Sequence, residues 1–146
     1  MKSAWRSWRR EETATADANI LIYAASEGAG EKSVVARELI RELAVRPSIL
    51  GLQALAEFYS VSTRKYKVEP DFAASLVQDW QKTYHVVHSS TESLNNAMRS
   101  AQFYQLNFWD GLLIATVASH GATVLFSEDM QHEQTIDGVR IINPFA

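Results

Sequence analysis

The chain contains no cysteine among its 146 residues, which excludes disulfides, thiolate nucleophiles and cysteine-bound structural zinc, and is compatible with a reducing cytosol. No apolar run approaches the ~18 residues that a membrane-spanning helix needs. The first twelve residues, MKSAWRSWRREE, carry basic charges with no apolar stretch behind them, so they lack the layout of a secretory signal. An excess of basic charge is also missing: 14 Lys and Arg stand against 17 Asp and Glu, for a net charge of −3. Any partner rich in phosphate must therefore be met by a local patch and not by the overall field. These absences together lead us to expect a soluble, cytoplasmic protein.

What is present is enough for one ordinary core. With 47% hydrophobic residues the chain fits a single domain, and no repeat, low-complexity tract or linker divides it. Residues 1–12 interleave Arg6, Arg9 and Arg10 with Trp5 and Trp8 and read as a flexible N-terminal extension, so the domain is placed at 13–146. Thr13 to Asp17 is a weak first strand, and the apolar segment from Ala18 is a short helix broken by Gly28 and Gly30. Residues 31–45 carry apolar side chains at 35, 39, 40 and 43, a helical spacing, and stop at Pro47. A brief strand at 48–52, a helix over 53–64, a helix opened by Pro70, a strand at 84–87 and a helix opened by Thr91 follow. Gly138 to Phe145 is the last strand. Strands alternating with helices imply a three-layer α/β/α sandwich with a mostly parallel central sheet.

The most informative stretch is NFWDGLLIATVASHGATVLFSED, from Asn107 to Asp129. Its helical part covers ~18 Å at ~1.5 Å per residue, and the strand after Gly121 covers ~20 Å at ~3.3 Å per residue. Helix and strand run out and back over nearly equal lengths, so Asp110 and Asp129 return to the same edge of the molecule. Asp17 and Glu57 have comparable settings, each adjoining or interrupting an apolar segment at a strand end or near a helix start. An uncompensated charge in such a position costs several kcal/mol. With no adequate set of basic neighbours in sequence, a divalent cation is the economical partner, and a donor set without His or Cys suits Mg²⁺ or Mn²⁺ and not zinc. Helix capping is the competing use of these acids, since Asp is a favoured N-cap.

The order of Asp-Ala-Asn followed by an apolar run (17–23), Leu-Ala-Glu-Phe-Tyr around Glu57, Phe-Trp-Asp-Gly-Leu-Leu-Ile-Ala-Thr around Asp110, Leu-Phe-Ser-Glu-Asp-Met-Gln around Asp129 and the closing Ile-Ile-Asn-Pro-Phe resembles the PIN-domain family. Within it, the sequence is most similar to VapC-type toxin ribonucleases of type II toxin–antitoxin systems, over residues 14 to 145. The resemblance implies a PIN-like, Rossmann-like fold and a Mg²⁺- or Mn²⁺-dependent endoribonuclease. It casts Asp17, Glu57, Asp110 and Asp129 as metal-binding and catalytic residues, with Asn19, Ser127 and Glu128 around them. It further implies an RNA substrate, a homodimer and a small antitoxin protein. The chain departs from the family in the sixteen residues that precede Asp17 and in its Thr/Ala first strand.

Other residues have weaker claims. Arg64, Lys65 and Lys67 form a basic cluster suited to RNA phosphates. Arg37 and Arg41 share a helix with Glu38 and Glu42 and read as a solvated face of mixed charge. The four histidines share no short spacing and read as non-ligands. Trp109 is expected in packing more than in stacking on a base. Two alternatives accompany the ribonuclease expectation: a non-catalytic RNA- or protein-binding module of the same fold, and a metal-dependent nuclease acting on DNA.

Overall fold

The computed structural model describes residues 4–146. Its central sheet has the order β1-β4-β6-β5, built from β1 (Thr13–Ala16), β4 (Ala122–Phe126), β5 (Thr135–Ile136) and β6 (Val139–Ile142). β1, β4 and β6 are parallel, and β5 turns back antiparallel to β6. A second, two-stranded parallel sheet pairs β2 (Leu50–Gly51) with β3 (Val86–Val87). A parallel bridge between Ala14 and Ser48, with hydrogen bonds from Ala14 N to Pro47 O and from Ile49 N to Ala14 O, continues the layer from β1 to β2.

Alternation along the strands divides the interior into two cores. Ala14, Ala16, Val124 and Phe126 join one core with Ile20 and Leu21 of α1 (Ala18–Ala25), Leu39 and Leu43 of α2 (Glu31–Val45) and Phe58 of α3 (Leu52–Arg64). Trp80 of α4 (Pro70–Thr83) closes over Phe58 with ring centroids 4.8 Å apart. Leu125 and Ile141 face the other way, onto Leu113, Ile114 and Val117 of α6 (Phe108–Ser119), which packs against α5 (Thr91–Tyr104). The result is the expected three-layer α/β arrangement with a mostly parallel sheet.

Two glycines set how closely helices approach near the chemically interesting edge. A Cβ on Gly111 would lie 3.3 Å from the Ala97 carbonyl oxygen of α5, and one on Gly51 would meet Leu113 Cδ1 at 3.0 Å. The first keeps α6 tight against α5 directly after Asp110, and the second lets the start of α3 settle beside α6. Gln53 Nε2 donates to the Trp109 carbonyl at 2.9 Å and ties those two helix starts together.

Residues 4–12 correct the expectation of a flexible extension. Ala4–Ser7 is a short 3-10 helix, and Trp5 and Trp8 are 4% and 2% exposed. The Arg46 guanidinium lies 3.7 Å from the Trp8 ring centroid, and its Nη2 donates to the Trp8 carbonyl at 2.8 Å. Trp8 meets Phe126 edge-on, while Glu12 accepts from Arg140 at 3.3 Å. The weak Thr/Ala strand is explained by this packing: its small side chains leave room that large residues from outside the strand fill.

Candidate metal centre

Each acid reaches the same edge by a different route. Asp17 directly follows β1: its amide donates to Phe126 O at 2.9 Å, which places it beside the end of β4, and its side chain caps α1 by accepting from Ala18 N at 2.8 Å. Asp129 follows β4 by a short turn. Glu57 stands on α3, which begins directly after β2, and Asp110 lies in the first turn of α6. Capping accounts for only one of them. Asn107 caps α6 by accepting from Trp109 N, which leaves Asp110 free of that duty; Glu57 is in mid-helix, and no helix follows Asp129.

A hydrogen-bond cluster fixes part of this group. Ser127, fully buried, donates from Oγ to Asp17 Oδ2 at 2.9 Å, and its oxygen accepts from Asp129 N at 3.2 Å. Asn19 Nδ2 donates to Asp129 Oδ2 at 3.0 Å, and Asn19 Oδ1 accepts from Glu128 N at 3.3 Å. Glu128 points elsewhere: Tyr23 OH donates to it at 2.6 Å and Lys32 forms an ion pair with it. Burial alone would raise the Glu128 pKa, but those hydrogen bonds and the Lys32 charge leave it below the usual value.

The remaining acids feel the opposite field. Asp17, 6% exposed, is raised to about 6, chiefly by burial, against hydrogen bonds from Ala18 and Ser127 that lower it and the charges of Glu57 and Asp110 that raise it further. Glu57 is raised by burial and by Asp110 and Asp129, and Asp110 by burial and by Asp129. The charges that act on these three carboxyls are one another's and that of Asp129, which places all four in one negative field, and among the described residues no ion pair reaches any of them. Such a donor set fits a hard, oxygen-seeking ion. Its spacing is open: among the described residues no three His, Asp or Glu side chains close around a common point as they stand.

Other sequence candidates separate from this edge. Arg64, Lys65 and Lys67 are exposed at and beyond the end of α3, two helical turns past Glu57. Arg37 is structural: Nε donates to Ala24 O and Nη2 to Ser26 O, closing the C-terminal end of α1. Trp109, expected to pack in the core or at a dimer contact, is 62% exposed, which removes the core from that expectation. Tyr23 and Lys32 were not singled out by the sequence. Tyr23 stands four residues after Asn19 on α1 and so shares its face, a usable signal; Lys32, 96 residues from Glu128, gave none.

No protein-family model matches the sequence, and no curated protein matches it. Solved structures do match the fold. A toxin–antitoxin complex from Klebsiella pneumoniae aligns with a TM-score of 0.67 at 20% identity, over 90% of this chain and 98% of that one. The DNA-bound VapBC of Salmonella typhimurium gives 0.65 at 16% identity, over 89% and 96% of the two chains. VapC20 of Mycobacterium tuberculosis, described as a sarcin–ricin loop cleaving toxin, gives 0.64 at 14% identity, over 80% and 89%. The chain therefore has the fold of the VapC toxins, as the sequence motifs led us to expect.

Proposed function

We propose that this protein is a Mg²⁺- or Mn²⁺-dependent endoribonuclease of the VapC type, the toxin of a toxin–antitoxin pair. The observation that carries this reading is the convergence of Asp17, Glu57, Asp110 and Asp129, from the ends of β1 and β4 and from α3 and α6, into one field in which neighbouring carboxyl charges raise the pKa values of Asp17, Glu57 and Asp110. The fold shared with VapC20, described as a toxin that cleaves the sarcin–ricin loop, supports it.

In this reading Asp17 and Asp129 are the fixed pair, locked through Ser127 and Asn19, and Glu57 and Asp110 are the adjustable pair that completes the site. When bound, a divalent ion supplies a lowered pKa for water and neutralises charge on the scissile phosphate. Glu57 and Asp110, whose pKa values are raised by burial and by neighbouring carboxylates, are suited to take the proton released by the attacking water. Glu128, held by Tyr23 and Lys32, remains outside the ligand set and anchors the turn that carries Asp129. The protein partner belongs to the same reading, and the homodimer does as well; Phe103 and Trp109, 79% and 62% exposed, supply apolar surface for such contacts.

The open spacing of the acids favours one competing reading, a non-catalytic module of the same fold. The test is cleavage of single-stranded RNA by the purified chain with Mg²⁺, Mn²⁺ or EDTA, beside Asp110→Asn and with single-stranded DNA as a second substrate. Cleavage of RNA that needs the ion and falls at least ~100-fold in the variant is expected. Undiminished cleavage by Asp110→Asn refutes the site, cleavage of DNA alone reassigns the substrate, and no cleavage under any condition favours the binding module.

A further inference from the structure

The proposed chemistry leaves unused a cavity bounded by α1, which Asp17 caps, and α3, which carries Glu57. This cavity, about 540 Å³, lies between the C-terminal ends of the two helices and is lined by Ile22, Tyr23, Glu27, Ser62, Tyr66 and Val68 among others. Its size is within the range of small-ligand sites. Tyr23 links it directly to the acidic edge, because its hydroxyl holds Glu128, the neighbour of Asp129. Along the helices, Tyr23 is ~9 Å past Asp17 and Ser62 is ~8 Å past Glu57, within reach of a nucleotide beside one held at the acids.

Three features of the rim point to the occupant. Tyr66 is 54% exposed, a large aromatic ring left at the mouth of a cavity. Lys65 Nζ lies 5.4 Å from the Tyr66 centroid, and exposed Arg64 and Lys67 stand beside it in the chain, so the segment that carries the ring is positive while the cavity lining is mostly apolar. The turn that presents them is built and held: Val68 N donates to Ser62 O at 2.9 Å, and Lys67 is kept at φ 56°, a left-handed conformation that side-chain-bearing residues seldom adopt. The one acid lining the space, Glu27, disfavours a phosphate inside while accepting from the amino edge of a base. We infer that this cavity is a nucleobase subsite: a base of single-stranded RNA beside the scissile phosphate stacks on Tyr66, and its phosphates follow Arg64, Lys65 and Lys67. This inference rests on the ribonuclease reading and adds to it the site that selects the sequence cleaved. Charge favours RNA over a polypeptide here, because exposed Arg64, Lys65 and Lys67 follow Glu57 on and just beyond the same helix, and a strand of RNA with its ion satisfies both charges.

The test is binding, separated from cleavage. Affinities of fluorescein-labelled single-stranded RNA oligomers are measured by anisotropy on the Asp110→Asn chain, with and without Tyr66→Ala or Tyr66→Phe. Tyr66→Ala is expected to weaken binding about tenfold or more, Tyr66→Phe to retain it, and an oligomer with one abasic position to become insensitive to Tyr66→Ala. Thermal melting of each variant confirms folding, which an exposed ring leaves intact. Equal affinity for Tyr66→Ala and the parent overturns the inference, and if that variant instead loses a co-purifying protein the cavity belongs to a protein surface. Tyr66-dependent binding by a chain that never cleaves RNA leaves this subsite standing and removes the ribonuclease reading; cleavage with unchanged binding does the reverse.

Discussion

Ser127 Oγ donates to Asp17 Oδ2 at 2.9 Å, joining residues 110 positions apart at the adjacent ends of β4 and β1. The same oxygen accepts from Asp129 N, so one buried hydroxyl sets the relative positions of the fixed pair of acids. Ser127→Ala should lower stability by roughly 1–2 kcal/mol in urea unfolding, since it leaves the buried Asp17 carboxyl oxygen without its donor. It should also move the acid limb of any activity profile to higher pH, because the carboxyl of Asp17 loses a hydrogen bond to its charged form. A profile that keeps its position while only the rate falls would assign Ser127 to packing alone.

The ionisation of Asp17 gives stability a definite sign with pH. Its pKa is near 3.8 when exposed and about 6 in the fold, so between these values the folded state holds the extra proton. In EDTA the folded state should therefore lose on the order of 2–3 kcal/mol as pH rises through that window, with Glu57 and Asp110 acting in the same direction. A divalent ion reverses this, because it binds the deprotonated acids and only in the folded state. The rise in melting temperature caused by Mn²⁺ should be small at pH 5 and grow toward pH 7.5. A shift of equal size at both pH values would contradict the account.

Trp8 is 2% exposed beneath Phe126, the residue just before Ser127, and is covered by Arg46. Trp8→Ala should cost ~3–5 kcal/mol by urea unfolding, and removal of residues 1–12 should lower the melting temperature markedly. An unchanged unfolding midpoint in both would restore the flexible-tail reading.

Lys32 and Tyr23 together decide whether Glu128 joins the acids. Lys32→Met combined with Tyr23→Phe leaves Glu128 with neither partner, beside four other carboxyls. The double variant should show altered divalent-ion binding, while melting in EDTA changes little because Lys32 is exposed. Ion binding equal to the parent's would show that the pairing has no influence on the site.

Much of this was legible before any coordinates. The equal reach of the helix after Asn107 and the strand after Gly121 places Asp110 and Asp129 together, and helical periodicity and stop signals give α2 and α6 closely. The meeting of Asp17 and Glu57 with them came from motif resemblance more than from spacing. What the sequence could not convey was long-range packing. Nothing in MKSAWRSWRREE says that two tryptophans fill the space left by a Thr/Ala strand, since a single turn of helix has no periodicity to read. β5, two residues long, has too little pattern to separate from a loop. The Tyr23–Glu128–Lys32 cluster joins residues about a hundred positions apart, and only the fold brings them into contact.

The central claim, that four distant acids form one cation site, is tested most directly by titrating Mn²⁺ into the wild-type chain and into Asp17→Asn, Glu57→Gln, Asp110→Asn and Asp129→Asn by calorimetry at pH 7.5. The account predicts saturable binding by the wild type and weaker or absent binding in each of the four variants. Binding that is undiminished in all four would contradict it.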